Sequence, residues 1–547
     1  MRIILLLMSL LPGLLLGQRT LLRGVELIDV DAGEKIHAQD VWISGGLIDR
    51  IAPTGTLNLP ADDTLYLPGK YVMPGLVDGH MHHFQSGGLF TRPDVVDLRG
   101  YRPYEEELAQ LEANRSILWQ RYLAAGITTI MDVGGPFSNY DLRSQSDTLG
   151  LTPKVLVTGP LLSSYQPEEL TTDDPPIIRI NSPEEGRTAV QDQLPLRPDF
   201  IKIWYIVQRG EAPETFFPIA QAICEEAHAA GIPVAVHATQ LETARKAVEA
   251  GADLLVHSVD DKLVDSAFVS LLLEKEVYYC PTLTVSYSYE EVLYGELDLR
   301  PADWRIGQGE VIQSLWMLAE LESVQRPSWV DRLLIAALPA DAEQATMQQN
   351  LLRLARAGVP IITGTDAGNI GTLHASSYQE ELEAMAATGL SPAAILKAST
   401  LSPATFLGEK AGKVAEGNRA DLLILPSNPL EDLNALASPS LIIRDGQLIR
   451  PSDLINRGEE ELVKLWLSAW KLGDEQALQT LTHPAATINL QGRRLVGRDR
   501  VILMMANRAV PNGIPQIIQQ EKGWLIQWGG QRMLIEVKEG KLWYLAR

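Results

Sequence analysis

Two histidines one residue apart, His80 and His82, end a short apolar run in the sequence VMPGLVDGHMHH, residues 72–83. Side chains of a β-strand alternate between its two faces with a period of two residues. If this run is a strand, both imidazoles project from one face at its carboxyl end. Because imidazole is a common ligand of divalent metal ions, two of them on one rigid strand make half of a preorganised metal site.

Four further ligand-type residues follow apolar runs elsewhere in the chain. Lys202, His237 and His257 belong to the runs DFIKIWY, IPVAVHA and ADLLVHS. Asp366 follows a fourth run, within GTDAG. The chain holds only nine histidines, and four of them occupy such positions. One histidine at a strand end is usually structural, but an ordered set of six ligand-type residues is rarely accidental. We therefore predict that they meet at one metal site; for Lys202 the alternative is a salt-bridging lysine beside a strand.

Residues 72–405 alternate short β-rich runs with helical patterns. Several of the helical patterns end at a glycine, which is a common helix stop. Eight strand–helix units predict an α/β fold of the TIM-type (β/α)8 barrel class, in which the carboxyl ends of the strands form the functional face. The eight runs are VMPGLVDG, GITTIMDVG, PKVLVTG, DFIKIWY, IPVAVHA, ADLLVHS, VYYCPTL and VPIITGTD.

The segments around this predicted barrel differ in character. Residues 18–71 and 406–452 contain short alternating runs broken by Gly, Asp and Pro, which predicts one composite β-sandwich domain built from both. Residues 455–547 combine an amphipathic helix with long strand patterns, which predicts a separate α+β domain. Residues 285–345 exceed one strand–helix unit, so they form either a lid or wall of the pocket or a surface pair of helices.

Composition and charge restrict the partners. The chain is 46% hydrophobic with a net charge of −22, so a nucleic-acid surface of clustered Lys and Arg is not expected.

Cys224 and Cys280 lie in apolar contexts, which predicts buried packing residues rather than a disulfide framework. Residues 1–17 fit a cleaved signal peptide, with an uncleaved membrane anchor as the alternative. We therefore expect a periplasmic or secreted protein with no membrane contact after cleavage.

Several motifs stand in the order of a known family. The chain resembles the amidohydrolase superfamily, in the group of imidazolonepropionase-like and Xaa-Pro dipeptidase-like proteins, over about residues 20–450. The resemblance rests on PGLVDGHMH, EEAHAAGIPVAVHA, AVEAGADLLVHS, CPTL, GTDAG and LKASTLSPATFLG, and on the flanking GKVAEGNRADLLIL and IIRDGQLI.

The resemblance implies two divalent metal ions, with zinc as the first expectation, although manganese, iron and cobalt also suit such ligands. It further implies that Lys202 is carboxylated by carbon dioxide. An unmodified lysine is a cation and does not bridge two cations, whereas a carbamate offers two anionic oxygens. The implied ligands are His80, His82 and Asp366 on one ion, His237 and His257 on the other, and carboxylated Lys202 between them.

The activity implied is that of a metal-dependent amidohydrolase. It would cleave an amide-type C–N bond in a small molecule or short peptide, either a peptide-like or an N-acyl amino acid substrate. Activated water would attack the carbonyl carbon, with Asp366 as general acid and base. One alternative is a deaminase or cyclic-amide, imidazolone-like hydrolase that uses the same metals. Another is an inactive barrel that serves as a binding or scaffold protein.

Residues near the predicted ligands are further candidates. His374, in the loop after the eighth run, and Tyr205, just past Lys202, are predicted to contact substrate, with packing as the alternative. His83 has the wrong parity for the inward face and is expected to pack or to support a ligand. The segment IKIWYIVQRGE lacks the Gly-rich turn of dipeptidase-like members, so their substrate preference is not transferred.

The C-terminal segment resembles the nuclear-transport-factor-like (SnoaL-like) domains, through LWLSAWKLGDEQALQTL and GRRLVGRDRVI. Such domains form dimers or enclose a small apolar pocket. The resemblance therefore implies a dimerisation or binding module, and a homodimer is one expected assembly.

Overall fold

The computed structural model describes residues 19–208, 210–321, 340–490 and 493–546. The predicted signal peptide, residues 1–17, lies outside the described residues. Among the described helices, none combines the length and the apolar character that crossing a membrane requires.

An eight-stranded sheet joins the two ends of the region around the predicted barrel. Its central pairing is antiparallel, between Tyr71–Pro74 and the much later strand Leu422–Leu425. Apolar side chains from both segments, including Val41 and Ile424, are fully buried in one cluster. The sheet therefore brings residues from 19–74 and 422–449 together. Its strands are Arg19–Asp29, Glu34–Ser44, Leu47–Pro53, Asp63–Tyr66, Tyr71–Pro74, Leu422–Leu425, Leu441–Arg444 and Gln447–Ile449.

Parallel strands dominate the middle of the chain, and helices connect them, so the predicted α/β class is confirmed. Three strands form one sheet in the order Leu76–Met81, Ile127–Asp132, Lys154–Val157. Six strands form another in the order Ile177–Arg179, Leu161–Ser163, Ile201–Trp204, Val234–His237, Leu254–Val256, Tyr278–Cys280. All pairings within these two sheets are parallel. The intervening helices are Tyr104–Ala124, Asp141–Leu149, Pro183–Gln193, Phe217–Ala229, Leu241–Ala250 and Ser266–Glu274.

Local sequence explains where these helices begin and end. Ser182 accepts a hydrogen bond from the Glu185 amide and is followed by proline, which together start the helix Pro183–Gln193. The helix Leu241–Ala250 buries alanines on one face and stops at Gly251, whose φ of 115° suits glycine. Such short helices bury one apolar face against the parallel strands.

The eighth predicted strand is an extended connection rather than a regular strand. Residues 361–367 make isolated parallel bridges, Tyr279↔Ile361 on one side and Met81↔Ala367 on the other. They therefore link the six-stranded sheet to the first strand of the three-stranded sheet. The ladder is irregular at this point: the Thr365 amide is shared between the Asp78 carboxylate and the His80 carbonyl oxygen, and Asp366 adopts a φ of 59°.

The segment after Tyr278–Cys280 forms three helices, Thr284–Tyr294, Pro301–Ile306 and Gly309–Met317. The first borders the cavity described below, and the other two pack against the C-terminal part of the chain. Residues 322–339, within the predicted lid region, lie outside the described residues. Later helices are Ala340–Ala357, Ser377–Ala387, Pro392–Ala398, Leu401–Phe406 and Pro451–Leu454.

The C-terminal part forms a six-stranded sheet with three helices. Its helix Glu459–Leu472 buries Trp466 and Trp470 against that sheet. The same buried cluster continues into the helices at 301–317, so this part shares an apolar core with the segment near the cavity. The elements are helices Glu459–Leu472, Glu475–Leu481 and Arg498–Ala506, and strands Thr482–Leu490, Arg493–Val496, Gln516–Gln520, Gly523–Trp528, Gln531–Lys538 and Lys541–Ala546.

Trp528 is at the centre of this shared core. Its ring stacks on Trp316 at 5.8 Å and meets Trp470 edge-on at 5.6 Å. We expect Trp528→Ala to lower the free energy of unfolding by about 3–5 kcal/mol, because it leaves a cavity between the two parts. Denaturant titration measures this loss. Trp543→Ala is the matched control, since Trp543 is only partly buried on the same sheet; an equal loss in both variants would contradict the prediction.

Candidate active site

Five of the six predicted ligand residues line one cavity of about 470 Å³. They are His82, Lys202, His237, His257 and Asp366. The sixth, His80, is fully buried directly beside them, with its Nε2 atom 3.3 Å from Asp366 Oδ1. Residues separated by nearly three hundred positions in the sequence are therefore neighbours at the carboxyl ends of the parallel strands.

Asp366 is the common neighbour of three histidines. Its Oδ1 atom lies 3.2 Å from His82 Nε2, and its Oδ2 atom lies 3.9 Å from His257 Nδ1. Donor atoms of His80, His257 and Asp366 all lie within 4.8 Å of one another. The His237 and His257 rings are 4.3 Å apart. The geometry thus connects the two groups of ligands that the sequence implied, through His257 and Asp366.

Several donor atoms in this cluster are buried without a hydrogen-bond partner. Within the described ranges, both ring nitrogens of His80, the Lys202 Nζ atom and Asp366 Oδ1 have none. Leaving a buried polar atom unsatisfied costs about 1–3 kcal/mol, more for a charged group. Such a concentration of unsatisfied nitrogen and oxygen atoms is typical of a site that binds a cation, so these residues fit one or more divalent metal ions.

Hydrogen-bond partners fix the ring orientation of two of the candidate ligands, His82 and His257. His82 Nδ1 donates to the Gly134 carbonyl oxygen at 2.7 Å, which leaves Nε2 free to face Asp366. His257 Nδ1 lies 2.8 Å from Thr282 Oγ1. A hydrogen bond to one ring nitrogen fixes the tautomer and the direction of the other. The contact from Gly134 therefore directs His82 Nε2 towards Asp366, and the contact from Thr282 fixes the orientation of the His257 ring.

Burial also shifts the pKa values of several predicted ligands. It lowers the pKa of His80, His237 and His257 well below the usual value, with neighbouring positive groups as a smaller cause. Neutral imidazoles keep the lone pair that a metal needs. Burial likewise lowers the pKa of Lys202 to about 7, so a large fraction of this amine is uncharged near neutral pH.

Two of the predicted ligands have unusual backbone conformations. His257 has a φ of 76° and Asp366 a φ of 59°, in the left-handed region that residues other than glycine rarely occupy. Such conformations cost about 1–3 kcal/mol each and are concentrated at functional sites. Asp78, which sequence reasoning did not select, supports Asp366 by accepting hydrogen bonds from the His80 amide and from Thr365. Asp78 lies two residues before His80 and therefore on the same strand face, and this spacing could have identified it from the sequence.

Gly364 allows the eighth segment to approach the first strand. A Cβ atom there would stand 2.6 Å from Cys280 Sγ and 2.8 Å from His80 Cβ. We expect Gly364→Ala to lower the free energy of unfolding by about 1–3 kcal/mol and to weaken metal binding, because His80 must move. Elemental analysis after dialysis against zinc measures the second effect. Gly100→Ala, with nothing within 4 Å, should change neither quantity; unchanged metal content in Gly364→Ala would contradict the expectation.

Two predicted substrate contacts point away from the cavity wall. His374 is buried, with Nε2 donating to the Gln85 carbonyl oxygen at 2.7 Å and Nδ1 accepting from Tyr122 at 2.8 Å. The Tyr205 hydroxyl donates to the Pro213 carbonyl oxygen, and its ring packs on Phe216. Neither residue borders the cavity, and partners in the protein satisfy their polar atoms. Trp204, one residue before Tyr205, faces the cavity instead, as strand alternation requires.

The remaining predicted candidates have structural partners. His83 is buried between the Asp132 carboxylate, which accepts from Nδ1 at 2.8 Å, and Trp119, which donates to Nε2 at 2.6 Å. The two cysteines are buried and free. The prediction that His83 supports or packs near the ligands therefore agrees with its position beside His82.

A hydrogen-bonded group in the cavity wall was missed by sequence reasoning. Arg92 pairs with both oxygens of Asp94, at 2.7 and 2.6 Å, and also donates to Asn369 Oδ1 at 2.6 Å. Tyr289 donates to the same oxygen at 2.8 Å. Asn369 in turn donates to the Asp366 carbonyl oxygen at 3.1 Å. No local pattern in the sequence connects these residues, which belong to three distant segments.

Comparisons with known proteins are consistent with this geometry. The chain is 24% identical to ochratoxinase from Aspergillus niger over 414 residues, which is 71% of this chain and 78% of that protein. The structure of this chain is similar to that of a candidate prolidase from Bifidobacterium longum. The TM-score is 0.61, with 25% identity, and the match covers 83% of this chain and 99% of the other. It also resembles a Xaa-Pro dipeptidase, with a TM-score of 0.60 and 22% identity over 79% of this chain and 100% of that one. Residues 71–449 match the amidohydrolase family. The chain thus belongs to the amidohydrolase family and is a hydrolase.

Proposed function

We propose that the protein is a metal-dependent hydrolase that cleaves an amide-type C–N bond in a small molecule or short peptide. The observation that carries this proposal is the group of buried, unpaired donor atoms of His80, Lys202 and Asp366 at the end of an open cavity. A structural cluster of this kind would satisfy its polar atoms internally. A cation together with a substrate accounts for both the unpaired atoms and the cavity.

The ligand set favours two divalent ions, with zinc first among them. His80, His82 and Asp366 would hold one ion, and His237 and His257 the other, with Lys202 between them. The uncharged amine of Lys202 adds to carbon dioxide, which forms a carbamate N–C bond and releases one proton. The depressed pKa of Lys202, about 7, supports this step because only the free amine is a nucleophile. When bound, such ions acidify water and polarise a carbonyl group.

The chain's own residues would hold and move the proton. The Asp366 carboxylate, close to His80 and His82, accepts a proton from the attacking water. As the oxygen–carbon bond forms and the carbon–nitrogen bond breaks, Asp366 returns that proton to the leaving nitrogen. The hydrogen bond from Asn369 to the Asp366 carbonyl oxygen keeps this residue oriented.

Architecture and location complete the proposal. The bridges from residues 361–367 to Tyr279 and Met81, together with the parallel sheets, support a closed (β/α)8 barrel. The helices and the six-stranded sheet at 459–546 support a nuclear-transport-factor-like C-terminal domain. The sequence at 1–17 supports export as a signal peptide.

Metal removal tests the proposal. Chelation followed by gel filtration should abolish hydrolysis of a library of dipeptides and N-acyl amino acids, and added zinc with bicarbonate should restore it. Elemental analysis of the restored protein should give between one and two ions per chain. Full hydrolysis by the metal-free protein would refute the mechanism, and absence of bound metal after reconstitution would favour the inactive scaffold.

A further inference from the structure

The cavity above the ligands has an apolar wall at each of two sides. The first, the strand wall, belongs to the segments around the strands Leu161–Ser163 and Ile201–Trp204. The second, the helix wall, belongs to the helices Thr284–Tyr294 and Ala340–Ala357. The apolar side chains of the strand wall are Leu161, Leu170, Ile177 and Trp204, and those of the helix wall are Val285, Tyr289, Leu293 and Met347. The two helices also place Glu290 and Glu343 in the cavity lining.

The two walls face each other across the ligands. In the six-stranded sheet, Leu161–Ser163 and Ile201–Trp204 lie towards one end, and Tyr278–Cys280, which leads into the helix wall, forms the other end. The strands that carry His237 and His257 lie between them. A bond held at the ligands therefore has one apolar wall on each side.

The side chains of the strand wall pack together as one apolar cluster. Leu161, Leu170 and Ile177 are nearly fully buried in one cluster, and Trp204 packs against it. The Trp204 ring lies edge-on to His237, with centroids 6.0 Å apart. This places a flat aromatic surface directly beside a candidate ligand, where it can pack against a substituent next to the reacting bond.

The helix wall is fixed to the other side of the site. Tyr289 donates to Asn369, which donates to the Asp366 carbonyl oxygen. The Arg92 guanidinium beside them is paired with both oxygens of Asp94, so its charge is balanced within the wall. The polar atoms here hold the wall in place, and Leu293 adds apolar surface to the cavity.

We propose that the substrate is an amide with a bulky apolar group, aromatic or branched aliphatic, on both the carbonyl side and the nitrogen side of the scissile bond. This inference rests on the proposed amide hydrolysis and specifies its substrate class. Each methylene group that a wall buries should raise binding about fourfold. Because the walls are separate, the contributions of the two substituents should multiply.

Four amides test the proposal: acetyl or hexanoyl on the carbonyl side, combined with methylamide or benzylamide on the nitrogen side. Calorimetric binding is measured on the metal-free protein, and kcat/KM on the zinc-loaded protein. We expect each apolar group to tighten binding and to raise kcat/KM at least about tenfold. N-hexanoyl benzylamide should be the best of the four in both measurements.

Single substitutions in the two walls show which substituent of the amide each wall binds. Trp204→Ala should reduce the gain from one apolar substituent and Leu293→Ala the gain from the other. Leu503→Ala, at a C-terminal position that is 65% exposed, should leave both gains unchanged. Equal binding of all four amides, or tighter binding of acetyl methylamide, would overturn the proposal. If the four amides bind in the expected order but none is hydrolysed, the proposed apolar binding walls stand and the proposed amide hydrolysis is refuted. Failure of the substrate class and failure of the proposed function therefore give different results.

Discussion

Replacing Asp366 by asparagine should lower kcat about 10²–10⁴-fold with little change in KM, because the variant loses the group proposed to transfer the proton. Asparagine has nearly the same shape and tolerates the left-handed backbone that Asp366 adopts, with its φ of 59°. The thermal midpoint should therefore remain close to that of the parent. Steady-state kinetics on a hydrolysed amide, together with thermal unfolding, measure both effects.

The matched control is Asp260→Asn. Asp260 also borders the cavity but is not among the predicted ligands. Its replacement should change kcat less than about tenfold, well below the effect of a general acid–base group. If Asp366→Asn keeps more than about a tenth of the parent kcat, proton transfer by Asp366 is wrong and another group must carry it.

Replacing Lys202 by alanine should reduce both metal content and activity. The side chain is buried, its amine is unpaired among the described residues, and it lines the same cavity as His82, His237 and His257, as the proposed bridging role requires. A bound ion contributes several kcal/mol to the transition state, and the loss of about 4 kcal/mol corresponds to about a thousandfold in kcat/KM. Elemental analysis should show fewer ions per chain than in the parent protein.

Two measurements separate a carbamate from a simple structural lysine. Short carboxylic acids such as acetate or propionate should partly restore both metal content and activity to Lys202→Ala, since they supply the missing oxygens. In the parent protein, carbon-13 bicarbonate should produce a carbamate resonance that this variant lacks. A variant that retains all its metal, or a parent protein with no carbamate signal at saturating bicarbonate, would rule out the bridging role.

The sequence by itself determined the set of candidate ligands and the type of secondary structure around it. A strand has a period of two and a helix one of 3.6, so local patterns show which residues leave a strand at its carboxyl end. For this reason His80, His82, Lys202, His237 and Asp366 could be named before their neighbours were known. The same argument named His257, and the ordered family motifs led to the same six residues.

Only the tertiary structure decided what surrounds that set. Arg92, Asn369 and Tyr289 come from three distant segments, and their hydrogen bonds depend on how loops pack rather than on any local period. The same is true of His374, whose ring nitrogens are taken by Tyr122 and Gln85. The eighth strand is an irregular connection in which the Thr365 amide is shared between the Asp78 carboxylate and the His80 carbonyl oxygen, both far away in sequence. Long-range packing thus fixed the cavity walls and the shared C-terminal core, since neither is encoded in neighbouring residues.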